Sequence, residues 1–381
     1  MKKSNKCEMN DISKVSLFNE DEMAALASSE THRDILGMFE GSFGDPDTRK
    51  AIFSSISRMA LRHIIRTLPK SINPTGQMYS MVDDVSLKHL RSSDVSGSFK
   101  ILVCALRKVD RETVAEVLTQ EIIMRLVGMI RTDDPKERMQ LSELLIGISN
   151  YSRCLHAVFV GLTNELVNFI DNNRSHVGLE EALRIIIVIV KKRAIGYEDM
   201  VAFHYQIILR MIETRFCGES KEMPKMIRTI CINYPKAIPL TIKHLKGTFE
   251  KAWSNTKVSI AHIVGDILRI MCDETYICLE DEICEIVRMS FDSNHYLVIE
   301  AMAEMLLLNH WNVSRHKETF VPKVFGSIYR ASQKLWRAES VNGVLKILHA
   351  ILEMDHRLFE KCLKTHNVKK WKDRWEKEKN N

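Results

Sequence analysis

Glycine and proline are scarce in this chain, 15 and 8 of 381 residues, and aromatic side chains make up only 7%. That scarcity excludes collagen-like repeats and loop-rich scaffolds. With 45% apolar and 27% charged residues, a disordered chain is excluded as well. The nine cysteines contain no Cys-x-x-Cys pair and are odd in number. They read as reduced small apolar residues, which points to the cytoplasm, the nucleus or both. The longest strictly aliphatic run, Ile185 to Val190, falls far short of the roughly 20 residues a membrane span needs. The basic start, Met1-Lys2-Lys3, has no apolar stretch behind it, so neither a secretory signal nor membrane insertion is expected.

Charge of one sign is also in short supply. The net charge is +6, and Lys364 to Asn381 contribute seven Lys/Arg against three Asp/Glu, leaving +2 for everything upstream. The excess therefore reads as a tail rather than a groove, and a nucleic-acid partner is not expected.

What is present is helical periodicity. Ile260, Ile263, Val264, Ile267, Leu268 and Met271 follow the spacing of one buried helix face. Leu179, Ala182, Leu183, Ile186, Ile187 and Val190 repeat it, as do Val341, Val344, Leu345, Leu348, Ile351 and Leu352. Asp134 reads as an N-cap, Pro135 as the first helical residue and Glu137 as the partner in a capping box. Pro224, Pro235 and Pro322 read as similar helix-entry or loop marks. Openings near Asp134, Ser175, Glu219, Asn255, Ser293 and Lys334 recur at intervals of roughly 40 residues, the period of two-helix HEAT or armadillo units.

The expectation is an all-α, HEAT/armadillo-like helical-repeat solenoid, in which stacked pairs share a continuous core and leave a long surface for partners. A globular all-helical fold is the alternative. Residues 1–28, polar and Ser/Asn/Glu-rich, are expected to be disordered, residues 29–365 to form the solenoid, and residues 366–381 to be a basic helix end or tail. Ser71 to Gly97, with Asn73-Pro74-Thr75-Gly76 and Asp83-Asp84, reads as a long connection. In the tail, Lys369-Lys370-Trp371-Lys372-Asp373-Arg374-Trp375 reads as a solvated cap on the array. An acidic partner, a membrane surface or nucleic acid would also suit its composition.

No residue set for chemistry assembles. His32-Arg33-Asp34 opens like a kinase catalytic loop, but Phe39 stands where Asn is required and no Asp-Phe-Gly follows. Cys217 lacks the Arg six residues on that a thiol phosphatase needs, since position 223 is Met. His310 and His316 lack metal-ligand spacing on one helix face, and Glu280, Asp281, Glu282 and Glu285 lack the Gly-spaced loop of a calcium site and read as a solvated helix start. There is no Gly-rich phosphate loop. Catalytic residues, metal and cofactor are all expected to be none, and a binding scaffold is favoured over an enzyme.

Linked motifs then carry a resemblance. Arg66-Thr67-Leu68-Pro69, Asn73-Pro74-Thr75-Gly76 and Asp134-Pro135-Lys136-Glu137-Arg138 resemble the B-prime family of regulatory subunits of protein phosphatase 2A. So do Ser293-Asn294-His295-Tyr296 with Glu300-Ala301, Tyr329-Arg330 with Ser332 and Trp336, and Glu353-Met354 with Leu358-Phe359, in order and spacing. The likeness runs from about residue 30 to about residue 365 and is that of a divergent member. Thr241 to Thr256, including Trp253, reads as longer than the family's corresponding loop.

The resemblance implies a non-catalytic regulatory and targeting subunit. It would dock on a phosphatase scaffold subunit and catalytic subunit and recruit phosphoprotein substrates. The alternative is a helical-repeat adaptor that has lost phosphatase association. The resemblance also implies a pocket for Leu-x-x-Ile-x-Glu peptides. The family's His-Arg-x-Tyr run falls on Ile146, Gly147, Ile148 and Ser149, its next Arg on His156, its Glu on Arg184, and its Lys and His on Glu198 and Val201. Only the apolar wall, Ile185 and Ile189, matches, and plain core packing explains those two equally well. A charge-assisted hydrogen bond is worth roughly 1.5–3 kcal/mol, so losing two would weaken such a peptide by about 3–6 kcal/mol, on the order of 100- to 10,000-fold.

Overall fold

A computed structural model describes residues 46–68, 93–172, 176–334 and 337–379, and among them there are helices and no strand. The packing divides into two units, meeting in sequence at Ile195 and Gly196. The first holds α1 (Pro46–Ile64), α2 (Ser93–Leu106), α3 (Arg111–Val117), α4 (Gln120–Gly128), α5 (Pro135–Ile148), α6 (Ser152–Asn172) and α7 (Leu179–Lys191). The second holds α8 (Tyr197–Phe203), then one π-type turn, His204–Ile208, leading into α9 (Leu209–Ile212). It continues with α10 (Arg215–Glu219), α11 (Glu222–Asn233), α12 (Ala237–Phe249), α13 (Ser254–Leu268) and α14 (Asp273–Asp292). It closes with α15 (Tyr296–Leu308), α16 (His310–Arg315), α17 (Lys317–Lys334), α18 (Ala338–Met354) and α19 (His356–Lys379).

Within each unit the helices form two layers. In the first, α1 packs on α2, α2 on α5 and α5 on α7, while α4 packs on α6. In the second, α11, α13, α15 and α18 stack in one layer and α12, α14, α17 and α19 in the other. The six openings read from the sequence lie within four residues of the starts of α5, α7, α11, α13, α15 and α18. Within each unit the repeat interval therefore picks out successive members of one layer. This is the all-α, HEAT/armadillo-like helical-repeat arrangement, in which no single pair can bury both its faces.

The core follows the apolar stripes. Along α7, Leu179, Ala182, Leu183, Ile186, Ile187 and Val190 are all buried, as are Ile260, Ile263, Val264, Ile267 and Leu268 on α13. Met271 lies beyond the end of α13. On α18 the buried set is Val344, Ile347, Leu348 and Ile351, and Leu345 is 49% exposed. The i, i+3, i+4, i+7 stripe starting at Val344 leaves Leu345 on the solvent side, so its place in the expected core face is corrected.

Local chemistry sets the helix ends. The Asp110 carboxylate accepts from the Glu112 and Thr113 amides, both at 3.0 Å, and from the Thr113 hydroxyl at 2.8 Å. Those bonds hold its carboxyl below the usual carboxylate range. Asp134 caps α5 as expected, accepting from the Lys136 amide at 2.9 Å with Pro135 next in the chain. Glu137 does not complete a capping box. The residue is buried, and its carboxylate takes two bonds from Arg66, 2.6 and 2.8 Å long, and one from the Thr132 hydroxyl at 2.8 Å. Pro224 stands in the first turn of α11 and Pro235 just before α12, but Pro322 lies inside α17. There it removes the bond that an N–H would give the Glu318 carbonyl, so its reading as an entry mark is corrected.

Other expectations shift in the same way. Ser93 to Gly97 belong to α2, and the rest of the expected connection beyond Leu68 lies outside the described residues. Thr241 to Phe249 are helical, so the link before α13 is only Glu250 to Trp253. Trp253 is 59% exposed, with the Arg215 guanidinium stacked 4.3 Å from its ring centre. Residues 1–28 lie outside the described residues, and α19 carries the chain on as helix to Lys379.

Neighbouring pairs are also joined by polar contacts between residues about one repeat apart. The last carbonyl of α2, Leu106, accepts from the Tyr151 hydroxyl just beyond α5. The Ser149 carbonyl at the end of α5 accepts at 3.0 Å from Lys192 Nζ just beyond α7. In the second unit the last carbonyl of α13, Leu268, accepts at 2.8 Å from Asn312 Nδ2, and the Cys217 carbonyl in α10 accepts at 3.1 Å from Ser259. Each bond satisfies a carbonyl that its own helix leaves unpaired.

Candidate functional site

The residues expected to meet a peptide in the first unit come from the last turn of α5, the first turns of α6, and α7, three elements in mutual contact. Ile146 and Gly147 are half-buried at the end of α5. A Cβ on Gly147 would find only Leu106 Cδ1 nearby, at 3.9 Å, so the position has room for a side chain. Ser149 is buried. Its hydroxyl donates to the Ile146 carbonyl at 2.8 Å and accepts from Lys192 Nζ at 2.8 Å. His156 is exposed on α6 and Arg184 on α7.

Ile185 and Ile189 are both 0% exposed. They complete the apolar circumference of α7, and neither offers accessible surface to a peptide. In the second unit, Glu198 is exposed in the first turn of α8 and Val201 is half-buried one turn further on.

Sequence reasoning missed Lys192. Its ammonium bonds the Ser149 carbonyl and hydroxyl and Asn150 Oδ1, the last at 2.9 Å. A cation is thus fixed beside the segment that lost the family's His and Arg. Partial burial lowers its pKa. The available signal was a lysine at the C-cap, two residues after Val190, the last periodic residue of the helix.

The remaining candidates fall into structural roles. His32-Arg33-Asp34 lies outside the described residues. Cys217 is 0% exposed and burial pushes its thiol up to about 12, so it is not a thiolate near neutral pH. His316 stacks on Tyr276 with ring centres 4.1 Å apart and comes within 3.4 Å of Asp273, whereas His310 is exposed. No group of three His, Cys, Asp or Glu is placed to hold a metal among the described residues. The acidic run sits inside α14 and not at its start. Lys323 Nζ is 2.8 Å from both Glu280 and Asp281, and Lys246 pairs with Glu285 at 2.5 Å. Met354 lines a small apolar gap with Leu306, Phe320 and Ile351, which is packing between helix pairs, and Trp336 lies outside the described residues.

One buried titratable group belongs to the fold itself. His204, 0% exposed in the π-type turn, shares a 2.8 Å hydrogen bond through Nε2 with the Thr241 hydroxyl, which in turn donates to the Ala237 carbonyl at 2.8 Å. Burial, with His244 nearby, lowers its pKa to about 4, so the ring is neutral near pH 7.

No described helix is long and apolar enough to cross a membrane. Among known proteins, the pattern of the family described as protein phosphatase 2A regulatory B subunit (B56 family) matches residues 12–381. The serine/threonine-protein phosphatase 2A 56 kDa regulatory subunit beta isoform of Mus musculus is 23% identical over 354 residues, covering 84% of this chain and 65% of its own length. The delta isoform of Homo sapiens is 22% identical over 341 residues, covering 86% and 55%. The human alpha isoform is 21% identical over 351 residues, covering 85% and 68%. The chain thus spans 65% of the beta isoform's length. A crystal structure of Kap121p overlays with a TM-score of 0.38 at 11% identity, covering 95% of this chain and 47% of that one.

Proposed function

Because the chain belongs to the B56 family of protein phosphatase 2A regulatory B subunits, we propose that it is a non-catalytic regulatory subunit that associates with the phosphatase. In this reading it binds the scaffold and catalytic subunits and recruits phosphoprotein substrates, in the cytoplasm, the nucleus or both. The observation that carries it is the family pattern running through residues 12–381, which includes the two-layered helix pairs of both units. The mechanism is positional. Holding a phosphoprotein beside another chain's catalytic centre raises its effective concentration there without any bond being made or broken by this chain.

We further propose that Leu-x-x-Ile-x-Glu peptides bind weakly or not at all. Ile146, Gly147, Ser149, Glu198 and Val201 replace the family's polar and cationic contacts, and the burial of Ile185 and Ile189 supports the same reading. Affinity purification of the tagged chain followed by a phosphatase assay tests the main proposal. Co-purifying scaffold and catalytic chains with phosphatase activity are the expected result. Recovery of the chain without them would favour the adaptor. A fluorescence titration with a Leu-x-x-Ile-x-Glu peptide tests the second part, and micromolar binding would refute it.

A further inference from the structure

Three turns of the first unit lie side by side along one edge. Residues 106–112 follow α2, residues 149–153 follow α5 and residues 191–195 follow α7. The Tyr151 hydroxyl joins the second turn to the first at Leu106, and Lys192 joins the third to the second at Ser149 and Asn150. Arg111 is close enough to Tyr151 for its charge to act on that hydroxyl. Together these turns carry seven Lys/Arg, against Asp110 and Glu112 alone. Asp110 is occupied in capping α3. The edge therefore holds a +5 excess in a chain whose total is +6. Outside this edge and the +4 tail the chain sums to −3, so the whole-chain total did not single the edge out.

We infer that this edge binds an extended acidic peptide. Arg107, Arg111, Arg153, Lys191 and Lys192 are all exposed and spread over the three successive turns. Helices stacked in one layer lie about 8–10 Å apart, and an extended chain advances about 3.3 Å per residue. A peptide with acidic groups every third residue thus meets a fresh turn with each group and spans the edge in about seven or eight residues. A membrane surface fits less well, since none of the large apolar residues exposed in the described chain lies in these turns. Single-stranded nucleic acid fits less well too. The one aromatic ring here, Tyr151, is half-buried with its hydroxyl committed to Leu106, so there is no open stacking platform.

The test is a fluorescence-anisotropy titration of the full chain with labelled Glu-Glu-Ser-Glu-Glu-Ser-Glu-Glu. It uses the chain alone, so its failure is distinguishable from failure of phosphatase association. Binding is expected at low salt, weakening at least ~10-fold by 0.3 M salt as the Debye length shrinks. The variant R111E/R153E/K191E should lose a further factor of at least ~10, and the milder R111Q/R153Q/K191Q an intermediate factor. The charge-matched R228E/K251E/K346E, at exposed positions of the second unit, should stay within about twofold of the parent. Absence of binding at low salt, equal losses in both Glu variants, or a tighter complex with an oligo-dT strand or a phosphatidylserine vesicle at the same edge would each overturn the inference.

Discussion

Arg66 and Glu137, 71 positions apart, meet as a planar fork, with the guanidinium giving both carboxylate oxygens a hydrogen bond. The pair ties the chain just beyond α1 to the first turn of α5, and so joins two of the motifs on which the family likeness was first read. Glu137 is nearly sealed from solvent, with its side chain 7% exposed, whereas that of Arg66 is 35% exposed.

Removing the cation alone should therefore be costly. Arg66→Met leaves a buried carboxylate with only the Thr132 hydroxyl, and is expected to destabilise the fold by about 3 kcal/mol in chemical denaturation. The double variant R66M/E137M should recover most of that loss. A single-variant change below about 0.5 kcal/mol would mean that the pair behaves like an ordinary surface contact.

Two backbone positions should respond with opposite signs. Arg193 has a φ of 52° and Gly178 a φ of 82°. Left-handed backbone costs a residue with a Cβ about 1–2 kcal/mol, so Arg193→Gly should stabilise by about 0.5–1 kcal/mol. Gly178→Ala should destabilise by at least ~2 kcal/mol, since its Cβ would fall 2.2 Å from the Ile130 carbonyl oxygen. Thermal melts of the two variants beside the parent give the signs directly.

His204 should make the fold acid-sensitive. Its folded pKa of about 4 lies below the unfolded 6.5, so the unfolded chain takes up a proton first as pH falls. The stability from this group is full above pH 6.5 and drains away between 6.5 and 4. At pH 5 the loss is about 2 kcal/mol relative to pH 7.5. His204→Gln keeps a partner for Thr241 but cannot titrate, and should show that much less acid destabilisation. Parallel pH profiles would sink the assignment.

Gly147→Arg should act on stability and binding together. The position is helical and has space for a side chain. Replacing helical Gly should stabilise by about 0.5–1 kcal/mol. The restored cation should strengthen Leu-x-x-Ile-x-Glu peptide binding by about tenfold, the worth of one charge-assisted hydrogen bond. Ser149→Tyr should be destabilising instead, because Ser149 is buried and holds Lys192. Calorimetric titration of both variants separates these outcomes.

How far the sequence could be read follows from the range of each force. The 3.6-residue stripe and the caps are local, so the starts of α5, α13 and α15 could be read to within a few residues from Asp134, Asn255 and Ser293. The partners of Glu137 and Ser149 could not be read, because stacking brings them from 71 and 43 residues away. At Ile185 and Ile189 periodicity was silent in another way. An apolar residue on a helix facing its neighbours and one lining a groove have the same spacing, and only packing shows that both are sealed in the core. The basic edge was hidden because its cations lie in three separate turns and look unremarkable in any one of them.

The bonds that pass from one helix pair to the end of the pair before it give the chain a direction. Tyr151 serves Leu106, Lys192 serves Ser149, and Asn312 serves Leu268, each time from the later pair back to the earlier. At these three bonds, trimming from the C-terminal side strands a carbonyl in the last pair kept, while trimming from the N-terminal side strands only the donor side chain. Glu137, which would lose Arg66, is the exception near the N-terminal end. Fraying should accordingly advance more readily towards the N-terminus than away from it.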